Sequence, residues 1–421
     1  MRDLALGIDV GTSGVRVAAL AADGTVVAKA ATAMPAPRRS DGLVRQRPAI
    51  WRAAIAEVVG RLGGTIDLAC VRAVATAATS GTILGLDAAD RPIGDALMYN
   101  DASGARFAPA IDAVAPGETA ARGAMSGLAR ALFLQFARHP VRLVHQADWL
   151  NGLLTGEPGI SDESHALKTG YDPVIRRWPD WIAATGLAID LLPRVVPCGA
   201  VLGEAAGAFA RELGLAEDTL VVAGCTDGCA SFLATGASRP GDAVSSLGST
   251  LTVKILSDGP VFAPEMGIYS HRIGDLWLAG GASNAGGAAI AAIFSPVDLQ
   301  RLEAALRPSE DTGQDFYPLV GRGERFPVSD PALAARLTPR PEDDVRYLQG
   351  LYEGLARIEA AGYAALATAG AARPLRLFAV GGGTKSAAFQ AIRARLVGLP
   401  TVPAAHGDAA VGVARLALRH L

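Results

Sequence analysis

Five short segments of this chain carry residue types whose spacing suits chemistry on a phosphate chain. In Gly7–Arg16 (GIDVGTSGVR) a carboxylate, Asp9, closes an apolar run directly before the small-residue turn Gly11-Thr12-Ser13-Gly14, and Arg16 follows. Such a turn exposes backbone N–H groups and hydroxyls without side-chain bulk, and a carboxylate beside it could hold hydrated Mg²⁺. A second turn of the same make-up, Gly248-Ser249-Thr250, is followed by apolar residues and Lys254, which makes a weak internal repeat. Asp227, in Ala223–Ala237 (AGCTDGCASFLATGA), stands where an apolar run meets the start of a helical pattern. Phe378–Phe389 (FAVGGGTKSAAF) reads as strand, triple glycine Gly381–Gly383 and helix, which lets a flat ring or a phosphate approach the backbone. Gly280–Gly287 (GGASNAGG), including Gly281, is a further glycine-rich turn. Taken singly, each segment is equally an ordinary tight turn or helix cap. No GxxxxGK[ST] motif occurs, which argues against a P-loop enzyme.

The elements that must position these residues follow from periodicity. Alternating runs at Leu4–Asp9, Val15–Leu20 and Thr25–Ala30 predict an antiparallel meander, followed by a helix over Pro48–Leu62 and a buried strand over Ala73–Ala78. The middle, about 103–215, reads as largely helical, and its polar tract Asp162–Asp172 as an exposed working surface. After the turn-like stretch Ala234–Asp242 a second series opens, with strands at Ala243–Leu247, Leu251–Leu256, Ile268–Arg272, Trp277–Ala279 and Arg376–Val380. Helices are expected at Glu342–Ala367, Lys385–Leu396 and Asp408–Arg419. This mixture predicts an α/β architecture in two domains, 1–236 and 237–421, the size expected for a chain of 421 residues.

Composition excludes several classes. The formal net charge of −2 and pI near 6.3 offer no basic field for nucleic acid or anionic lipid. Apolar stretches such as Ala73–Ala78 and Ala285–Ile293 fall well short of the roughly 20 residues of a membrane span. The first residues carry no signal-peptide pattern, so a cytoplasmic protein is expected. Cys70, Cys198, Cys225 and Cys229 lack CxxC spacing and lie in apolar surroundings, as buried reduced thiols do.

In order and context the segments resemble the FGGY carbohydrate kinases, of the actin, sugar-kinase and heat-shock-chaperone ATPase superfamily, over nearly the whole chain. Further stretches, among them Thr79–Leu84 (TSGTIL), Leu97–Ala102 (LMYNDA), His165–Pro173 (HALKTGYDP) and Gly267–Gly287, look like those of the short D-ribulose kinases of cyanobacterial and plant type. The resemblance implies a two-lobed actin-like ATPase (ribonuclease H-like) fold with duplicated halves around a central cleft. It implies ATP and Mg²⁺ as cofactors, a small sugar as substrate, and no nucleic-acid or membrane partner. A homodimer is compatible with it. Asp227 would be the catalytic base and Asp9 the metal-positioning carboxylate. Asp9, Ser13, Gly14, Arg16, Thr79, Ser80, Gly81, Asp101, Lys168 and Asp227 would form the sugar side. Gly11, Thr12, Ser13, Gly248, Ser249, Thr250, Gly281, Gly381, Gly382, Gly383 and Ser386 would hold the nucleotide. Where xylulokinases have a Met-His-Gly sugar loop, this chain has Thr79-Ser80-Gly81, and a lysine common in the family's helical signature is Arg130. D-Ribulose is the expected sugar, with xylulokinase activity the alternative. His145, His165 and His271 are expected to be hydrogen-bonded structural residues, Trp149, Trp178 and Trp181 core, and the Arg322, Glu324, Arg325 run a solvated surface or an ion network between the lobes.

Overall fold

The structure, a computed structural model, describes residues 3–421, which divide into two compact units. The first holds residues 3–234, 271–274 and 408–421, and the second 235–270 and 275–407. The division falls close to the expected 236/237 boundary, but the last 14 residues do not belong with the second half. They form the helix Ala409–Ala417, almost wholly buried, which packs with the first unit because its small residues match glycines there. A Cβ on Gly7 would come within 2.0 Å of Ala410 O, and one on Gly224 within 3.1 Å of a Val413 methyl.

Each unit is built on a six-stranded sheet, and five strands of each follow the same plan, a central strand with two antiparallel strands on one side and two parallel strands on the other. In the first, Leu4–Val10 lies between its own meander, Gly14–Ala21 and Val26–Ala33, and the parallel strand Val71–Ala78, beyond which come Leu220–Val222 and Val201–Glu204. In the second, Asp242–Leu247 lies between the antiparallel strands Leu251–Ser257 and Leu276–Ala282, with Tyr269–Ile273 at that edge, and the parallel strands Arg376–Val380 and Thr401–Pro403. The weak sequence repeat thus coincides with a duplicated five-stranded core, while the sixth strand lies at opposite edges, Val201–Glu204 beyond Leu220–Val222 and Tyr269–Ile273 beyond Leu276–Ala282. The central strands are buried on both faces, so they read as continuous apolar runs.

The first unit also carries a five-stranded sheet including Ile83–Leu86 and Arg142–His145, packed on the helix Gly127–Arg138. Ser126 caps that helix by accepting the Ala129 N–H, and Leu128, Leu132 and Leu134 fill its core side. The region 103–215 is therefore mixed, with short strands at Arg142–His145, Ile160–Asp162, Arg194–Val196 and Val201–Glu204. Runs of three or four residues are too short for periodicity to separate strand from helix. In the second unit the longest helix, Asp344–Thr368, starts two residues later than expected because Asp343 caps it through the Val345 N–H. Likewise Ser386 caps the helix Ala387–Val397.

Candidate active site

Three neighbouring strands of the first sheet run in parallel and stop at the same edge. Val10 is opposite Ala78, and Ala78 is bridged to Thr226. The Gly11–Gly14 turn, the Thr79–Gly81 loop and Asp227 therefore all follow strand carboxyl ends, where open α/β sheets bind ligands. In the turn the Gly11 N–H reaches Gly14 O at 3.0 Å, and Ser13 is exposed while Thr12 is half-buried. Gly14 itself is a packing glycine, since a Cβ would lie 2.6 Å from Thr32 O on the next strand.

Asp9 is 3% exposed and opposite Arg16 in the meander, whose exposed guanidinium reaches Oδ2 at 3.3 Å. Oδ1 is buried without a partner. Burial first, and then the charge of Asp227, push the Asp9 carboxyl up to about 7 against the opposing pull of Arg16. Asp227 is half-buried at the first position of the helix Asp227–Ala234, and its Oδ1 accepts the Gly228 N–H at 2.7 Å. Thr226 anchors this helix start. Its N–H donates to Ser164 Oγ at 3.1 Å, and Ser164 Oγ also lies 3.0 Å from Thr226 Oγ1 and 3.2 Å from His271 Nδ1. The donor set suits a cation held mainly by water and phosphate. It offers one orphaned carboxylate oxygen beside a second carboxylate, and no group of three or more His, Cys, Asp or Glu able to hold a metal occurs among the described residues.

The two loops expected on the sugar side divide their labour in a way the sequence did not reveal. Thr79 and Asp101, both expected at the substrate, are turned into the protein. The Thr79 hydroxyl donates to Gln146 Oε1 at 2.7 Å, and Asp101, with no exposed surface, accepts the N–H groups of Val44 and Ser103. Their neighbours are the unsatisfied ones: Ser80 Oγ and Asn100 Oδ1 are buried with no partner. Asn100 was legible only as part of the Tyr99-Asn100-Asp101 loop. Lys168 is half-buried, its stem 3.8 Å from where a Cβ of Gly81 would stand.

The tract Asp162–Asp172 is interior rather than an exposed surface, with only Lys168 and Asp172 half-buried. Several of its polar groups bond to one another, although Glu163 Oε2 is buried with no partner. Asp162 accepts the Ser164 and His165 N–H groups and contacts the His165 ring at 2.6 Å, while His145 lies between Asp148, Ser161 and Thr169. The histidines are thus structural, as expected. Trp149 meets Trp51 edge to face, and Trp178 and Trp181 pack on the apolar core around the Gly127–Arg138 helix.

In the second unit, Asp242–Leu247 and Arg376–Val380 are parallel neighbours ending at Ser246 opposite Val380, so the Gly248–Thr250 turn and the Gly381–Gly383 segment share one edge. Beside them opens a cavity of about 720 Å³, lined by Gly248, Ile290, Leu299, Tyr352, Gly382 and Phe389 among others, with Gly383, Lys385 and Ser386 on its wall. That volume suits a nucleoside. Ser249 is exposed and Thr250 half-buried at the turn. Gly381 (φ +86°) and Gly383 are glycines because Leu247 presses on them, at 2.6 Å from either Cβ position. Ser386 spends its hydroxyl on the Phe389 N–H as helix cap.

Two expectations fail here. Gly281 is not part of the cavity: it lies within a buried strand, and the Phe326 ring fills the place of its side chain, 2.2 Å from a Cβ. The Arg322–Arg325 run is not uniformly solvated, because Glu324 is buried and accepts from Ser283 Oγ, Asn284 N, Tyr317 Oη and Arg325 N. It ties the Gly280–Gly287 turn down within its own unit.

Residues 4–119 match the N-terminal domain, and residues 243–421 the C-terminal domain, of the FGGY family of carbohydrate kinases. The chain belongs to this family. As an FGGY kinase it transfers phosphate from ATP to a sugar. The xylulose kinase of Escherichia coli (strain K12) is 28% identical over 439 aligned positions, covering 98% of this chain and 89% of that protein. The gluconokinase of Bacillus subtilis (strain 168) is 21% identical over 364 positions, covering 79% and 70%. Among solved structures, a xylulose kinase from Brucella ovis superposes with a TM-score of 0.90 at 25% identity, covering 99% of this chain and 90% of that one. These matches establish the actin-like sugar-kinase fold. All four cysteines are buried and outside disulfides, and among the described residues no helix is long and apolar enough to cross a membrane.

Proposed function

We propose that this FGGY kinase phosphorylates the terminal hydroxyl of a pentulose, converting D-ribulose to D-ribulose 5-phosphate with ATP and Mg²⁺. The observation that carries the reading is the pair of unpartnered polar atoms, Ser80 Oγ and Asn100 Oδ1, on loops of the unit that presents Asp227. Buried polar atoms without partners are costly, and a polyhydroxylated ligand supplies what they lack. The loop Thr79-Ser80-Gly81 offers neither an imidazole nor a thioether to the sugar, which distinguishes it from the Met-His-Gly loop of xylulokinases. A site that hydrogen-bonds one hydroxyl discriminates strongly against an analogue that leaves its groups unpaired, and an inverted stereocentre is such a mismatch.

In the mechanism, Asp227 accepts the proton of the sugar hydroxyl as its oxygen bonds to the γ-phosphorus and the bond to the bridging oxygen breaks, releasing ADP. The Gly11–Ser13 and Gly248–Thr250 turns donate to phosphate oxygens, and Ser13, Ser249 and Thr250 add hydroxyls. Asp9, through its unpartnered Oδ1, would hold the hydrated cation, which would neutralise charge on the phosphates. Arg16 holds Asp9 in place. The cavity beside Gly381–Gly383 takes the adenosine, with Tyr352 and Phe389 as apolar walls. A second reading, D-xylulose as substrate, is favoured by the names of the Escherichia coli and Brucella ovis relatives.

An ADP-release assay over pentuloses, pentitols, hexoses and glycerol tests the proposal. D-Ribulose should have kcat/KM at least about tenfold above D-xylulose and glycerol. Asp227→Asn should lower kcat by about 10²–10⁴ with nucleotide binding retained. Better turnover of D-xylulose would overturn the sugar assignment, and a fully active Asp227→Asn the base assignment.

A further inference from the structure

Arg130 is a cation in an apolar core. It lies on the buried side of the Gly127–Arg138 helix among Leu128, Leu132 and Leu134 and has no exposed surface. Its hydrogen bonds go only to main-chain carbonyls. Nη2 donates to Gly81 O at 2.8 Å, and Nη1 to Tyr99 O at 2.9 Å and Met125 O at 2.8 Å, with Asp101 O at 3.5 Å. Nε has no partner. Burial lowers its pKa to about 10, with the charge of Asp101 opposing, so it stays charged at neutral pH.

A buried charge without a hydrogen-bonded counterion is an expensive way to fill a core, and an apolar side chain would fill it at lower cost. What the guanidinium supplies is a rigid planar fork that donates in several directions at once. Three of the four carbonyls it joins, those of Gly81, Tyr99 and Asp101, belong to the two loops bearing Ser80 and Asn100, and the fourth, Met125 O, lies just before its own helix. Gly81, at φ +87°, completes the fit, since a Cβ there would stand 3.0 Å from Nη2.

We propose that Arg130 is a positioning residue that sets the spacing between the Thr79–Gly81 and Tyr99–Asp101 loops and thereby the sugar selectivity of the kinase. The inference rests on the pentulose reading. A lysine keeps the charge, but its single ammonium on a flexible stem cannot hold both loops in one fixed geometry.

The test compares full-length wild type, Arg130→Lys and Gly81→Ala, with Asp227→Asn as a control. Sugar and ATP kinetics are measured for each, together with thermal midpoints. In folded Arg130→Lys the ratio of kcat/KM for D-ribulose over D-xylulose should move by at least about tenfold while the KM for ATP changes by less than about twofold. Gly81→Ala, which crowds the fork from the loop side, should move the ratio in the same direction. A loss of stability alone lowers turnover of both sugars together and leaves their ratio alone. An unchanged ratio in whichever variant folds overturns the inference. Should wild type phosphorylate neither pentulose but another sugar, the pentulose reading falls. Arg130 is then judged on that sugar, whose KM Arg130→Lys must raise at least about tenfold. An active Asp227→Asn would overturn the base assignment and leave the Arg130 result standing.

Discussion

Asp9 and Asp227 are both aspartates near one sheet edge, yet their surroundings make them different tools. Asp9 is sealed at the end of a buried strand with an oxygen left unpaired, so its negative charge is costly unless a cation is held beside it. Asp227 is half-buried, where a hydroxyl can reach it. His165 is a third case. Its ring lies between the Asp162 carboxylate at 2.6 Å and Ala78 O at 3.3 Å, so both nitrogens face acceptors and the imidazolium is the matching form. Burial alone would lower its pKa, but Asp162 chiefly, with Asp148 and Ala78, outweighs it and raises the value from 6.5 to about 9. A raised folded-state pKa stabilises the fold fully below pH 6.5, and that contribution is lost as pH rises through about 9. The thermal midpoint of His165→Gln should therefore fall furthest below wild type near pH 6, and the gap should narrow as pH is raised past 9. Scanning calorimetry across that range checks this, and a pH-independent gap would refute it.

At the scale of elements, the glycines decide which segments can touch. The helix Asp227–Ala234 carries the proposed base, and the helix Ala409–Ala417 packs directly on it at Gly412, where a Cβ would lie 1.7 Å from Ala230 O. That contact is backbone against backbone, so no side chain can yield. Gly412→Ala should cost about 1–3 kcal/mol by overpacking, and it should also lower kcat because the relief available is a shift of the helix that presents Asp227. Denaturant unfolding and steady-state kinetics measure the two effects. Wild-type stability in Gly412→Ala would show that the helices separate freely.

For the whole molecule, two sheets that share a five-stranded core plan sit in two units with separate cores, but the chain does not divide them cleanly at one point. Residues 408–421 return to the first unit, and eight of the nine residues of Ala409–Ala417 are buried there. Removing 408–421 should expose the first sheet and unfold that unit while the second keeps its own core. Hydrogen exchange should then show lost protection in Leu4–Val10 and Val71–Ala78 but retained protection in Asp242–Leu247 and Arg376–Val380. Equal protection of the first pair with and without the final helix would contradict this.

The sequence by itself determined the meanders, the long helices and the small-residue turns at the strand ends, because these are written in local chemistry. Period-two and period-3.6 patterns mark the meanders and long helices, and Asp-before-glycine turns mark where the chain can approach a ligand. It also marked Asp227, through the junction of apolar strand and helix start. What it could not determine was which polar side chain in a loop faces inward. Thr79 and Ser80 are equivalent to any local rule, yet Gln146, 67 residues away, takes the hydroxyl of one and leaves the other unpaired. Asp101 is claimed by Val44 across 57 residues, and Gly281 by the ring of Phe326. Arg130 reads as an ordinary helical arginine until Gly81, Tyr99 and Met125 turn their carbonyls toward it. Hydrogen-bond partners brought together from distant parts of the chain have no signature in local spacing, so only the tertiary structure could decide who binds whom.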